Sequence, residues 1–239
     1  ANFDAQALSN TLWSFAALEV WHQPLQASIS AKSIEMSNEL TTQEVSNLSW
    51  ALAKLWSHDG PLLAALSGQA IARITELNKQ ELSVMAWSFA TLNLRNQPLL
   101  HAISAQAVLR MADFGMLEIS NMSWSFARLA ERDERLINAI SDAALAHHDQ
   151  SAAPFASAMD SAAVEGVTPH GVYSIVWSSW RAGRPELAAT LAKDQEKPNA
   201  LPESLVRGLL LMESAWQRDQ ERESGVMSLL YGRGGGGDP

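Results

Sequence analysis

Tryptophan recurs at Trp13, Trp50, Trp87 and Trp124, each 37 residues after the one before, and its surroundings recur with it as LSNTLWSFAAL, VSNLSWALAKL, LSVMAWSFATL and ISNMSWSFARL. Ser9, Ser46, Ser83 and Ser120 lie four residues before the tryptophans; Ala16, Ala53, Ala90 and Ala127 lie three after them. An unvarying period of this length means a chain built of like units. Each unit is too small to bury its own apolar surface, so neighbours must stack and share a continuous core.

The second part of each unit recurs as well. Pro24, Pro61 and Pro98 introduce PLQASIS, PLLAALS and PLLHAIS, while Arg135 replaces the proline before LINAIS in the fourth copy. Proline in a first helical turn forgoes a backbone donor that would have no partner there, so it marks the start of a second helix. In the first copy Leu8, Leu12, Phe15, Ala16 and Leu18 have the spacing of a helix that buries one broad face. The recurring alanine fits a place where two backbones approach closely.

These features predict an all-α fold, an α-solenoid of the right-handed type, with four 37-residue helix-turn-helix units over residues 1–150. Residues 151–195 read as an insertion and a degenerate fifth unit, because Trp177 follows Trp124 by 53 residues, one period plus 16. Residues 196–224 read as a linker and a capping helix with Leu205, Leu209, Met212 and Trp216 on one side. Residues 225–239 form a glycine-rich tail with no reason to be ordered by itself.

The totals narrow the function. The chain has 239 residues and no apolar run near the roughly 20 residues a spanning helix needs. Peripheral membrane association through a complex stays compatible. Seventeen Lys and Arg stand against 26 Asp and Glu, a net charge of −9, which disfavours a duplex-coating protein built on phosphate contacts. The absence of cysteine removes disulfides, thiolate metal sites and cysteine nucleophiles together. The chain begins at Ala1 without a signal-peptide pattern, so a processed mature form or a fragment is expected.

The LSNxxWSFA helix followed by the PLLxAIS helix resembles the heptatricopeptide and octotricopeptide repeat proteins of algal and protist organelles, relatives of the RAP-domain and FAST-kinase-like families. The resemblance covers roughly residues 6–150 in four copies and weakly 171–195. It implies import into a chloroplast or mitochondrion with the targeting peptide removed, and a macromolecular ligand, either organellar RNA or an organellar assembly such as a ribosome. The chain departs from the family in lacking a recognisable RAP domain and in its acidic charge.

A surface to bind that ligand is expected on the first helix of each unit, where positions i, i+4, i+7 and i+11 form a stripe turned from the buried side. The copies read Asn10-Ser14-Ala17-Trp21, Asn47-Ala51-Lys54-His58, Val84-Ser88-Thr91-Arg95 and Asn121-Ser125-Arg128-Arg132. Amide, hydroxyl and cationic groups at fixed places in each unit are what an RNA-reading repeat needs; a solvated helix edge has the same composition. For an anionic ligand the residues to act would be Lys54, Arg95, Arg128 and Arg132. Trp13, Trp50, Trp87 and Trp124, beside the close-packing alanine, are expected in the core, whereas Trp21, Trp56 and Trp180 fall outside that slot and are candidates for surface contacts.

No catalytic residue, cofactor or metal site is expected. There is no phosphate-binding glycine loop, His147 and His148 point about 100° apart on a helix with no second cluster to support them, and His22, His58, His101 and His170 are scattered. Carboxylates such as Asp133-Glu134 and Glu221-Glu223 read as solvated surface. Two functions follow: a non-enzymatic scaffold or linker subunit docking on other proteins of a large organellar complex, photosynthetic or ribosomal; or a sequence-selective binder of single-stranded RNA. Residues 1–150 carry 9 basic and 15 acidic side chains, which weighs towards the first.

Overall fold

Seven of the eight described α-helices begin where a side chain takes up backbone N–H groups that a first turn leaves without helical partners. The computed structural model describes residues 3–131 and 133–150. Among them are α1 (Ala5–Ala17), α2 (Gln23–Glu35), α3 (Thr42–Lys54), α4 (Gly60–Ala72), α5 (Lys79–Thr91), α6 (Gln97–Arg110), α7 (Met116–Arg128) and α8 (Glu134–Gln150). The first residues of α1, α3, α5 and α7 lie 37 positions apart, as do those of α2, α4, α6 and α8. No strand occurs among the described residues.

The caps recur with the helices. Asp4 accepts from the Ala7 N–H at 2.7 Å, and Thr41 with Glu44 and Asn78 with Glu81 form reciprocal capping boxes. In front of α7 the cap is Gly115, so only half of the box is left, the Gly115 N–H donating to Glu118 Oε2 at 2.9 Å. His22 Nδ1, Asp59, Asn96 and Asp133 cap the even-numbered helices through the N–H three residues on. Pro24, Pro61 and Pro98 sit within those first turns, as their missing donor allows.

The odd-numbered helices all stop in the same way. Beyond the final turn, Glu19, Trp56, Asn93 and Ala130 adopt φ between 52° and 55°. Their N–H groups donate to Ala16, Ala53, Ala90 and Ala127, and the next N–H in each case reaches Phe15, Leu52, Phe89 or Phe126 at 2.8–2.9 Å. This pair of bonds is the Schellman motif, which satisfies the last carbonyls and turns the chain into the following helix. None of the four left-handed positions is glycine, and a side chain there costs roughly 1–2 kcal/mol.

Packing follows parity. The helices α1, α3, α5 and α7 lie side by side and pack most closely, and α2, α4, α6 and α8 form a second layer against them. Ser9, Ser46, Ser83 and Ser120 and the alanines seven residues later provide the small surfaces that permit close approach; all but Ala127 are buried, and Ala127 is partly so. Burying the serines is inexpensive because each hydroxyl donates to the carbonyl three residues back in its own helix. Leu40, Leu77 and Phe114, just before α3, α5 and α7, are fully buried. Arg73 and Arg110, at the ends of α4 and α6, donate to the carbonyls of Leu40 and Leu77 and so close each helix pair.

Asp133 joins two pairs. Its Oδ1 accepts from the Arg135 and Leu136 N–H groups while Oδ2 accepts from the buried Ser104 hydroxyl at 2.5 Å. Burial pushes the carboxyl up, but these three hydrogen bonds and the Arg135 charge outweigh it and hold the group below its ordinary value of 3.8. A depressed carboxyl stabilises the fold fully above the unfolded value and loses that contribution as pH falls through the folded one. The acid limb of a melting-temperature profile, below pH 4 or so, should therefore flatten in Asp133→Asn relative to the parent. For the helix ends, Ala130→Gly should raise stability by about 0.5–1 kcal/mol in urea melts, whereas Ala64→Gly on the exposed side of α4 should lower it by about 1 kcal/mol.

Candidate functional site

The predicted polar stripe does not lie on an open surface. Ala51, Ser88 and Ser125 are fully buried, Thr91 and Arg128 are buried, and Asn47 and Asn121 are half-buried; of the helical members only Asn10, Ser14 and Ala17 of the first copy are exposed. The expectation of a solvent-facing edge is corrected by packing. In α3, α5 and α7 the preceding odd helix covers the stripe. Short hydroxyls survive there because Ser88 and Ser125 donate to the Val84 and Asn121 carbonyls one turn back, as Ser14 does to Asn10.

Two cations of the stripe, Arg128 and Lys54, are engaged within the fold. Arg128 is 4% exposed, its Nε donates to the Ala90 carbonyl at 2.7 Å and its Nη2 to that of Thr91 at 3.5 Å, and its guanidinium stacks over the Trp124 ring, 5.4 Å from the centroid. A positive charge against the last carbonyls of α5 complements that end of the helix dipole. Lys54, half-exposed, reaches Glu19 of the preceding pair at 3.3 Å. His58 Nε2 lies 3.2 Å from the Leu92 carbonyl, and Arg95 is exposed. Arg132 lies outside the described residues, as do the fifth unit, the capping helix, the tail and Trp180; of the adjacent histidines at 147 and 148 only the α8 backbone is described.

The four periodic tryptophans sit at the margin of the core, not inside it. Trp50, Trp87 and Trp124 are half-buried and pack against the core, and Trp13 is 44% exposed, its ring stacked on that of Trp50 at 5.7 Å with 27° between planes. The physical reason is size. The close contact between odd helices is taken by serine and alanine, and an indole fits only beside that seam.

One groove combines these features. A cavity of about 460 Å³, open to solvent, lies across the turns after α1 and α3, walled by Trp21, Trp56 and Trp87 and bounded by Lys54 and Glu19. Trp21 is 53% and Trp56 46% exposed, in keeping with their place outside the core slot. Trp56 occupies one of the left-handed positions, where a bulky residue is an outlier; the strain is borne at a residue that presents its indole to the groove. Periodic alignment of Glu19, Trp56, Asn93 and Ala130 singles out this place, but left-handedness at a non-glycine column has no local signature. Exposed Leu18 and Val20, in the turn that carries Trp21, were likewise not distinguishable from core residues by spacing.

This arrangement can supply flat apolar faces, indole N–H donors and one ion pair already closed on itself. Among the described residues no group of three His, Asp or Glu is placed to hold a metal, and no described helix is long and apolar enough to cross a membrane. No protein-family model matches the chain, and a search of curated proteins found no match.

Arg128→Met should destabilise the protein by about 2–3 kcal/mol, since it removes two charge-assisted hydrogen bonds to the end of α5, and Trp50→Ala by about 2 kcal/mol, less than for a fully buried indole. Urea denaturation of both variants checks the order.

Proposed function

We propose that this chain is an α-solenoid of 37-residue helix-turn-helix units that serves as a non-enzymatic scaffold, docking through protein contacts on a large organellar assembly. The observation that carries this reading is the groove of Trp21, Trp56 and Trp87, whose adjoining cation Lys54 is met by Glu19. Partly exposed indoles around a concavity are the residues by which protein surfaces anchor a partner, with an apolar body and a donor at the tip. The organellar setting rests on the resemblance of the repeat units.

Single-stranded RNA is the less favoured ligand. Affinity for a phosphate backbone comes from cations free to displace counterions. Arg128 is buried in a structural contact and Lys54 is ion-paired, which leaves Arg95 as the cation of the predicted stripe that is exposed among the described residues. The acidic excess over residues 1–150 works in the same direction.

The test pairs two measurements. Fluorescence anisotropy of a random single-stranded RNA pool should show no binding at micromolar protein, at low or at physiological salt. Tagged protein in its native cells should migrate with a large assembly on a density gradient, and Trp21→Ala/Trp56→Ala should leave it in light fractions without lowering its melting temperature. Salt-sensitive RNA binding that Arg95→Ala abolishes would instead establish the RNA reading.

A further inference from the structure

The residue four positions after each periodic tryptophan differs from copy to copy: Ala17, Lys54, Thr91 and Arg128. At Arg128 the surroundings show what this column can hold. Its guanidinium lies 5.4 Å from the Trp124 ring centroid, and its Nε and Nη2 reach back to the carbonyls of Ala90 and Thr91 at the end of the preceding odd helix. The Ala90 carbonyl accepts this bond in addition to the Asn93 N–H of its own Schellman ending, at 3.0 Å. A carbonyl oxygen has two lone pairs and takes both donors.

One unit earlier the partners of that guanidinium recur and the arginine does not. Trp87 stands where Trp124 stands, and Ala53 and Lys54 end α3 as Ala90 and Thr91 end α5, with the Ala53 carbonyl accepting from the Trp56 N–H at 3.1 Å. The side chain at the decisive position is Thr91, too short to lay a charge over an indole or to cross to the preceding helix. Thr91 is 7% exposed, and its buried hydroxyl has no hydrogen-bond partner, unlike that of Ser88, which donates to the Val84 carbonyl a turn back. Ala53, Lys54, Trp87 and Thr91 all line the solvent-open groove of Trp21 and Trp56, beside the Glu19 carboxylate.

We infer that this groove seats an arginine side chain of the partner protein, its guanidinium over Trp87 as that of Arg128 lies over Trp124, bonded to the Ala53 and Lys54 carbonyls and the Thr91 hydroxyl. The inference rests on the reading of the groove as a docking site and gives the partner its chemistry. A guanidinium is flat, weakly hydrated and carries its five donors in one plane, so it gains more from indole faces and paired carbonyls than an ammonium of equal charge does. A phosphate would meet acceptors alone at the carbonyls. Residues 1–150 carry 15 acidic side chains against 9 basic, which favours a basic partner. The like charge of Lys54 is met by Glu19 at 3.3 Å, and the Glu19 side chain, 75% exposed, has acceptor capacity for a second cation.

The full chain, isotope-labelled at its indole nitrogens, is titrated with the capped tripeptide Gly-Arg-Gly and with its lysine and citrulline counterparts, the indole N–H signals being assigned from Trp21→Phe, Trp56→Phe and Trp87→Phe. The arginine peptide should move the Trp56 and Trp87 signals saturably in the millimolar range, roughly tenfold more tightly than the lysine peptide, and uncharged citrulline should move neither. Thr91→Arg, which supplies the guanidinium from the chain itself as the fourth unit does, should abolish the response and leave the melting temperature level or higher. Indoles of the parent chain that do not respond, whether the place is open or held by an arginine from elsewhere in the chain, would overturn the inference. So would equal responses to the three peptides, or a Thr91→Arg protein that melts well below the parent. On the density gradient Thr91→Arg keeps Trp21 and Trp56 and should still leave the protein in light fractions. If it stays with the assembly while Trp21→Ala/Trp56→Ala leaves it, docking at the groove stands and the arginine does not.

Discussion

The close approach of α1, α3, α5 and α7 is the constraint from which the rest of the structure follows. Backbones come together at this range only where side chains are small, and the seam is therefore made of serine and alanine seven residues apart. Serine there would be a liability if its hydroxyl lacked a partner. The helix itself supplies one, the carbonyl a turn back, so a polar residue has the volume needed and costs little to bury. Larger apolar residues on the adjoining faces then fill the space towards the second layer of helices.

That seam also determines where the indoles lie. An indole placed four residues after the serine and three before the alanine shares their side of the helix but is too large for the contact itself, so it rests at the margin. Trp13 on Trp50, and Arg128 over Trp124, are two forms of the same solution. Position for position, Lys54 and Arg128 both bind back to the preceding pair, one to the Glu19 carboxylate and the other to the last carbonyls of α5. A single column thus holds neighbouring pairs together by different chemistry in different copies.

The helices and their order were legible because the tryptophan motif, the prolines and the apolar spacing repeat together, and agreement across four copies is stronger than any local propensity. The stripe was misread for a reason that amphipathic reasoning invites. Polarity was taken as exposure, yet serine and threonine are small enough, and able enough to bond their own helix, to line an interface. The tryptophans were placed too deep because indole area was weighed without asking how much space the alanine seam leaves. Sequence comparison among the copies could place Trp21 and Trp56 outside the core slot; it could not show that the turns bring them to Trp87, since that depends on the left-handed residue ending each odd helix.

The same turns explain why the candidate groove lies where it does. A Schellman ending reverses the chain within a few residues and leaves the left-handed side chain projecting from the corner. In the copies with Asn93 and Ala130 that side chain is small, and glycine would be less strained still. At Trp56 the position carries an indole instead, and the added strain is not recovered by deep burial, because the side chain remains nearly half exposed. A residue that is locally unfavourable and incompletely buried contributes little that a smaller one would not. Its place beside Trp21, at the mouth of a cavity bounded by Lys54 and Glu19, is where the docking proposed above would draw on flat apolar area more than on charge.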